Sequence, residues 1–259
     1  MNLDSSSILI RPCQGLEEFG ACVQLQIDVW GYGDRDVIPR RVFIVSRKIG
    51  GQVMGAFAGN DMVGFALSVP GTRSGKIYLH SHMLAVRADH RNGGLGRRLK
   101  LFQREEALSR GIELIEWTFD PLEIKNAYLN IERLGAIARR YNLNQYGITS
   151  SPLQGGLPSD RLIAEWWLKS KRVEMLLDAG KNPPFTAEVS VEVPAQIYEW
   201  KAAAQTRDKA CEVQECNRDK FLRHFAEGLA VLGYERDASG DGKFLLGRWD
   251  EKWSYASKD

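Results

Sequence analysis

The stretch that most constrains this chain spans residues 78–111: an apolar run, YLHSHMLAV, then the loop RADHRNGGLG, then the basic amphipathic segment RRLKLFQREEALSRG. Alternation over 78–86 predicts a strand with His80, His82, Leu84 and Val86 on one face and Leu79, Ser81, Met83 and Ala85 on the other. Leu95, Leu99, Phe102 and Leu108 then recur at helical spacing, which predicts a helix over about 94–110 stopped by Gly111. A strand that empties into a glycine-rich turn, which in turn opens a helix, aims backbone N–H groups and the positive end of a helix dipole at one spot. Such a spot binds phosphate.

The flanking sequence predicts an α/β chain with a mixed sheet. Residues 8–11 read as a strand, and Leu16, Phe19, Val23, Ile27 and Trp30 as the core face of a helix. A turn-rich connector at 31–39 exposes Asp34, Arg35 and Asp36, and Pro39 can start another helical turn. Strands at 53–58 and 62–69 are joined by the turn GND, and Pro70, Gly71 and Gly75 break the chain before the strand at 78–86. A strand at 112–118 follows the helix, so a right-handed crossover would leave it parallel to and beside 78–86. Next come a helix over 126–139 with Ala127, Ile131, Leu134 and Ala138 inside, a long surface loop at 141–158, and a buried strand at 162–168.

After a break at 180–184, the tail reads as a strand at 189–193, helices near 194–204 and 219–232, and a final pair of strands within 233–255 around the turn ASGDG. That order of strand, helix, helix, strand, strand loosely repeats the order at the N-terminus, with no residue-level match to make it a sequence repeat. The expected domains are residues 1–168 as a core and 169–259 as an α/β extension that completes the sheet or covers an acceptor site.

With 259 residues, 44% of them hydrophobic and 26% charged, and a formal charge of +2, the composition fits neither a disordered chain nor a nucleic-acid binder. The N-terminal MNLDSSSILIRP carries an acid where a signal peptide would be basic, and no apolar run is long enough to span a bilayer. Cys13, Cys22, Cys211 and Cys216 lack the spacing of a zinc site or a disulfide framework, which points to reduced thiols in a cytoplasmic protein.

Within this frame Arg91-Asn92-Gly93-Gly94-Leu95-Gly96 is the motif R-x-x-G-x-G, set between a meander of strands and a helix. It resembles the acyl-CoA loop of the GNAT superfamily of N-acetyltransferases, a resemblance that covers about residues 8–167. The resemblance implies that acetyl-CoA or another acyl-CoA is the co-substrate. Its pyrophosphate would be held by Arg91, Asn92, Gly93, Gly94, Leu95, Gly96 and Arg97, its pantetheine arm would pair with the backbone of Leu84, Ala85 and Val86, and Asn126 would be a further contact. A dinucleotide fingerprint competes, since Glu116 stands about 20 residues beyond the loop, but Leu99 occupies the place of its third glycine. The plain alternative is a glycine turn followed by a solvated face of Arg97, Arg98 and Lys100.

The stretch HSHMLAV resembles the H-x-H-x-L-A-V segment of arylalkylamine N-acetyltransferases, whose histidine pair relays a proton from the amine. His80 and His82 are therefore the candidate general base, because an ammonium cannot attack a thioester and imidazole titrates near neutrality. A zinc reading of H-x-H would need further ligands, and His90 and His224 stand far apart in the sequence. The tyrosine that family members often use as general acid is replaced by Ile131 if Gly135 ends the helix, leaving Tyr128, Tyr141 and Tyr146 as substitutes. Asp120, Asn130, Asn144, Asp160 and Arg161 are candidate acceptor contacts that also suit turns and caps, and Trp200, Trp249 and Trp253 suit either a pocket wall or the core.

The expected function is acyl transfer from coenzyme A to a primary amine of a small molecule or amino acid. No metal, nucleic-acid or membrane partner is expected, and a homodimer is left open. The other reading is a non-catalytic acyl-CoA sensor of the same fold.

Overall fold

The computed structural model describes residues 8–33, 36–147 and 154–250. Asp34, Arg35, residues 148–153 of the loop at 141–158, Trp253 and the end of the last expected strand lie outside the described residues. The chain packs as two compact units, Met1–Ile115 and Glu116–Asp259.

In the first unit β1 (Ile8–Pro12), β2 (Gln52–Ala58), β3 (Asp61–Arg73) and β4 (Lys76–Val86) form an antiparallel meander in that order. The hairpin at Gly59–Asn60 forms as its turn residues predict. Pro70 and Gly71 do not break the chain: β3 runs through them, and the turn comes at Ser74 and Gly75, both left-handed. Proline tolerates extended backbone, whereas reversing direction needs the positive φ these two supply.

Helices α1 (Gly15–Trp30) and α2 (Arg40–Lys48) cover one side of the meander, where Phe19, Cys22, Leu25 and Phe43 pack with Phe57, Phe65, Leu67, Met83 and Ala85. Helix α3 (Leu95–Ser109) covers the other, where Leu95 and Leu99 meet Met54, Ala56, Val63 and Ala66. The buried face of α1 is rotated from the expected one, since Leu16 and Ile27 are exposed while Gln26 is buried. The Gln26 amide accepts from the backbone N–H of Ile38 at 2.8 Å and donates to its carbonyl at 3.0 Å, which ties down the connector that ends at Pro39. Pro39 caps α2, as its fixed φ favours.

Strand β5 (Leu114–Phe119) crosses the division between the units. In the second unit the strand order is β5, β7 (Arg161–Trp167), β6 (Ile137–Asn142), β9 (Leu229–Arg236), β10 (Gly242–Arg248), β8 (Val189–Val193). The helix expected over 126–139 is short: α4 (Ile124–Tyr128) continues as one π turn over Leu129–Arg133 and stops at Gly135, whose φ is 75°. Ala138 is therefore buried on a strand. An unanticipated helix, α5 (Lys171–Ala179), is capped by the Ser170 hydroxyl. Helices α6 (Ile197–Ala202) and α7 (Arg207–Ala226) follow, and α7 starts and ends earlier than expected, because 229–232 belong to β9.

The tail repeats the N-terminal element order as read from sequence, yet it pairs differently. The first strand of the opening segment pairs with the second, while β8 pairs with the last strand, β10. The two segments share an order of elements and not a topology.

Candidate functional site

Residues 87–94 leave β4 through one short turn at Ala88–His90 and enter α3 through two left-handed residues, Asn92 (φ 64°) and Gly94 (φ 77°). Arg91 to Gly94 are exposed. Arg91 Nε donates to the Val86 carbonyl at 2.9 Å, so its guanidinium braces the loop against the end of the strand. The first helical bond of α3 runs from the Arg98 N–H to the Gly94 carbonyl, so the N–H groups of Leu95 and Gly96 precede the helix's own ladder. No acidic residue stands in that first turn. The segment therefore presents amide hydrogens, a dipole and the exposed Arg91 to one patch of solvent, the arrangement that holds a phosphate or pyrophosphate.

A solvated face of Arg97, Arg98 and Lys100 is not what the helix shows. Arg98 reaches the Ile8 carbonyl at 2.7 Å, and Lys100 is buried at 4% exposure. Lys100 Nζ donates to Ser81 Oγ at 2.7 Å, and Ser81 in turn donates to Gln103 Oε1 at 3.2 Å. Burial holds this ammonium's pKa well below its usual value. The dinucleotide alternative also fails on geometry: Leu99 is fully buried, and Glu116 is spent on an ion pair with Arg140.

Strand β4 departs from simple alternation. Its pairing with β3 slips so that Leu67 faces Met83 while Ser68 faces Ser81, leaving His82 as the extra residue of a bulge. Ser81 thus reaches α3, on the side of Leu84 and Val86, whereas Met83 and Ala85 join the cluster under α1 and α2. The expectation that the histidines share a face with Leu84 and Val86 is corrected by this slip, because His80 alternates with Ser81. The two histidines remain neighbours, with ring centroids 6.1 Å apart and planes at 39°. Burial, the neighbouring His82 and the Lys100 ammonium lower the His80 pKa to about 4, and burial lowers that of His82. Each imidazole is neutral at physiological pH and able to accept a proton.

In the second unit Asn126 lies on α4. Ile131, four residues before Gly135, is fully buried. Tyr141 donates to Asp160 at 2.9 Å, and burial beside that carboxylate pushes its pKa up. Tyr146 shares a 2.8 Å hydrogen bond with Thr118, and Tyr128 is exposed.

Of the candidate acceptor contacts, Asp160 and Asn144 are occupied with each other's turn through the Asn144 N–H and the Ser159 N–H, and Arg161 with Gln154. Asn130 is buried with its Nδ2 unpaired, and Asp120 is held by a lysine that the sequence did not single out, Lys201. A second unforeseen group is the pair Arg139 and Arg140, both bonded to the buried carboxylate of Glu165. The slip in pairing between Ala138 and Tyr141 explains how neighbouring residues converge on one carboxylate. His90 bonds to Asp89 and His224 to Glu227, and no group of three or more metal-ligating side chains occurs among the described residues.

Residues 23–128 match the Acetyltransferase (GNAT) family. No curated protein matches the sequence. Among solved structures, a GNAT-family protein of Desulfovibrio desulfuricans superposes with a TM-score of 0.51 at 14% identity, over 62% of this chain and 99% of its own. The protein yncA of Salmonella typhimurium, solved with its cofactor acetyl-CoA, gives 0.51 at 15% identity over 63% of this chain and 95% of its own. At such identities the likeness speaks for the fold, and more than a third of this chain lies beyond either match.

Proposed function

We propose, from the match of residues 23–128 to the Acetyltransferase (GNAT) family, that the protein transfers an acetyl or succinyl-like group from coenzyme A to a primary amine of a small molecule or amino acid. The observation that carries this reading is the entry into α3: two left-handed residues, an acid-free first turn and a braced arginine form an anion cradle in the stretch that the family motif marks. Arg91, Asn92, Gly93, Gly94, Leu95, Gly96 and Arg97 would hold the pyrophosphate, the backbone of Leu84 to Val86 the pantetheine arm, and Asn126 would add a contact. The solved neighbour with acetyl-CoA supports that choice of co-substrate.

When bound, acyl-CoA supplies the thioester. This chain supplies two neutral imidazoles, His80 and His82, to take the proton from the acceptor's ammonium. The amine nitrogen then forms the new bond to the acyl carbon as the carbon–sulfur bond breaks. The nitrogen gives up its second proton to solvent to leave the neutral amide, and, with Ile131 in place of a tyrosine, the departing thiolate takes its proton from solvent. Four unpaired thiols and the lack of any helix, among the described residues, long and apolar enough to cross a membrane fit a cytoplasmic setting.

Coenzyme A is expected to raise the melting temperature while NAD leaves it unchanged, since a ligand at a hundredfold its Kd adds roughly 2.7 kcal/mol. Incubating acetyl-CoA and succinyl-CoA separately with an amine pool, followed by mass spectrometry, identifies the acceptor. A melting curve indifferent to coenzyme A would overturn the reading.

Gly94 offers a sharper probe. A Cβ there would meet nothing within 4 Å, so only its φ of 77° forbids other residues. Gly94→Val is expected to shift the loop backbone at a strain of about 1–3 kcal/mol and to weaken coenzyme A binding about tenfold or more in calorimetry. Unchanged affinity would remove the loop from the site.

A further inference from the structure

The second unit holds a buried charge cluster that the proposed chemistry does not use. Lys201, on α6, is 5% exposed, and its Nζ lies 3.0 Å from Asp120 Oδ2 and 2.8 Å from Glu123 Oε1. Both carboxylates belong to the turn between β5 and α4. Asp120 also accepts from the Leu122 N–H through Oδ1, at 2.8 Å. The Glu123 carbonyl accepts from the N–H groups of Asn126 at 3.0 Å and Ala127 at 2.9 Å, so this residue starts the helix. One turn earlier on α6, the Tyr198 hydroxyl accepts from the Lys125 N–H at 3.4 Å. The same face of α6 therefore meets the beginning of α4 at two places.

We propose that Lys201 is a positioning residue, which through Asp120 and Glu123 fixes the turn that starts α4 and so sets the place of Asn126. The inference rests on the reading above, in which Asn126 contacts coenzyme A.

Charge and packing both support it. Asp120 is 9% exposed, and a carboxylate so placed needs a partner of opposite charge to stay ionised. Burial alone would push the Lys201 ammonium toward neutrality, but the two carboxylates outweigh it and raise its pKa above the usual value. Without that ammonium, two negative groups at the start of α4 would repel each other. Gly155 also packs close against the α6 backbone at this residue, since a Cβ there would stand 2.7 Å from the Lys201 carbonyl oxygen. The tail thus contributes directly to the order of the turn from which Asn126 projects.

Calorimetric titration of the full chain with coenzyme A tests this. Lys201→Met is expected to weaken binding about tenfold, the scale of losing one hydrogen bond to the cofactor. Lys201→Arg, which keeps the charge, recovers part of the loss. Asn126→Ala weakens binding too, and the double variant Lys201→Met/Asn126→Ala is no weaker than the worse of the two, since both act through one contact.

Wild-type affinity in Lys201→Met, or losses that multiply in the double variant, would overturn the inference. Should Lys201→Met lack the circular dichroism of a folded chain, Glu123→Gln carries the same test. Its carboxylate is a third exposed, so loosening half the clamp leaves the fold in place. A loss of affinity that Asn126→Ala does not deepen supports the inference, and no loss overturns it. A wild type that binds no coenzyme A overturns the acyl-CoA reading as well, whereas a wild type that binds while every variant binds equally overturns this inference alone.

Discussion

Turnover by the double variant His80→Gln/His82→Gln is expected to fall by about 10²–10⁴, the range that a positioned general base contributes, while coenzyme A affinity stays at the wild-type value. Glutamine keeps the size and hydrogen-bonding character of the imidazole and removes its basicity, so the loss reports proton transfer. The rings are neighbours on β4, and either can take over part of the other's role. For that reason both must be changed. Wild-type turnover with the acceptor found by mass spectrometry would remove the base assignment.

The same variant changes the dependence of stability on pH. The folded-state pKa of His80 is lowered from 6.5 to about 4, and that of His82 is also lowered. A base with a depressed folded pKa is neutral in both states above 6.5. Below that the unfolded chain gains the proton first, so stability is lost as pH falls from 6.5 toward about 4. Melting temperatures of the wild type should drop across that window, and those of the double variant should drop less. Equal slopes would show that the rings titrate as they do in water.

What the sequence discloses follows the kind of force that places each element. The meander, the loop and α3 are set by local rules: alternation, turn residues such as Gly59–Asn60, and left-handed positions such as Gly94 and Gly111. These are legible without tertiary knowledge, and so is the cradle they build. The bulge at His82 is not, because it arises from the pairing of two strands and leaves no composition signal in either. The bounds of α7 are hidden in the sequence for a related reason. Its buried stripe runs Ala210, Gln214, Asn217, Phe221, His224, a helical spacing occupied mostly by polar side chains, of which Gln214 and Asn217 donate to the distant backbone carbonyls of Pro158 and Glu192. The strand at Ile137–Asn142 is hidden by two arginines whose partners come from other strands, Glu165 from the adjacent β7 and Glu116 from β5 beyond it. Lys201 is equally silent in sequence, since its partners lie 81 and 78 residues away.

Lys100 is the position where the structure most contradicts the surface that the sequence describes, and Lys100→Met is expected to raise stability. Methionine has nearly the length of the lysine stem and needs no solvation, while Ser81 Oγ and Gln103 Oε1 keep their own hydrogen bond. The gain is about 1–3 kcal/mol, the desolvation penalty of a buried polar group, and its pH dependence identifies its origin. The ammonium's pKa is held well below 10.5, so the unfolded state binds more protons than the folded state at pH values between the two. Wild-type stability therefore falls as pH drops below 10.5 and the folded chain is asked to carry a buried charge. The advantage of Lys100→Met should widen over that descent and vanish at high pH, where lysine is neutral in both states. A second readout separates this electrostatic origin from better packing alone. The Lys100 charge is one cause of the low His80 pKa, so the ring's NMR titration midpoint should rise from about 4 in the variant. A variant that is less stable in acid would show that the bond from Lys100 to Ser81 outweighs desolvation, and an unmoved midpoint would uncouple the buried lysine from the histidine pair.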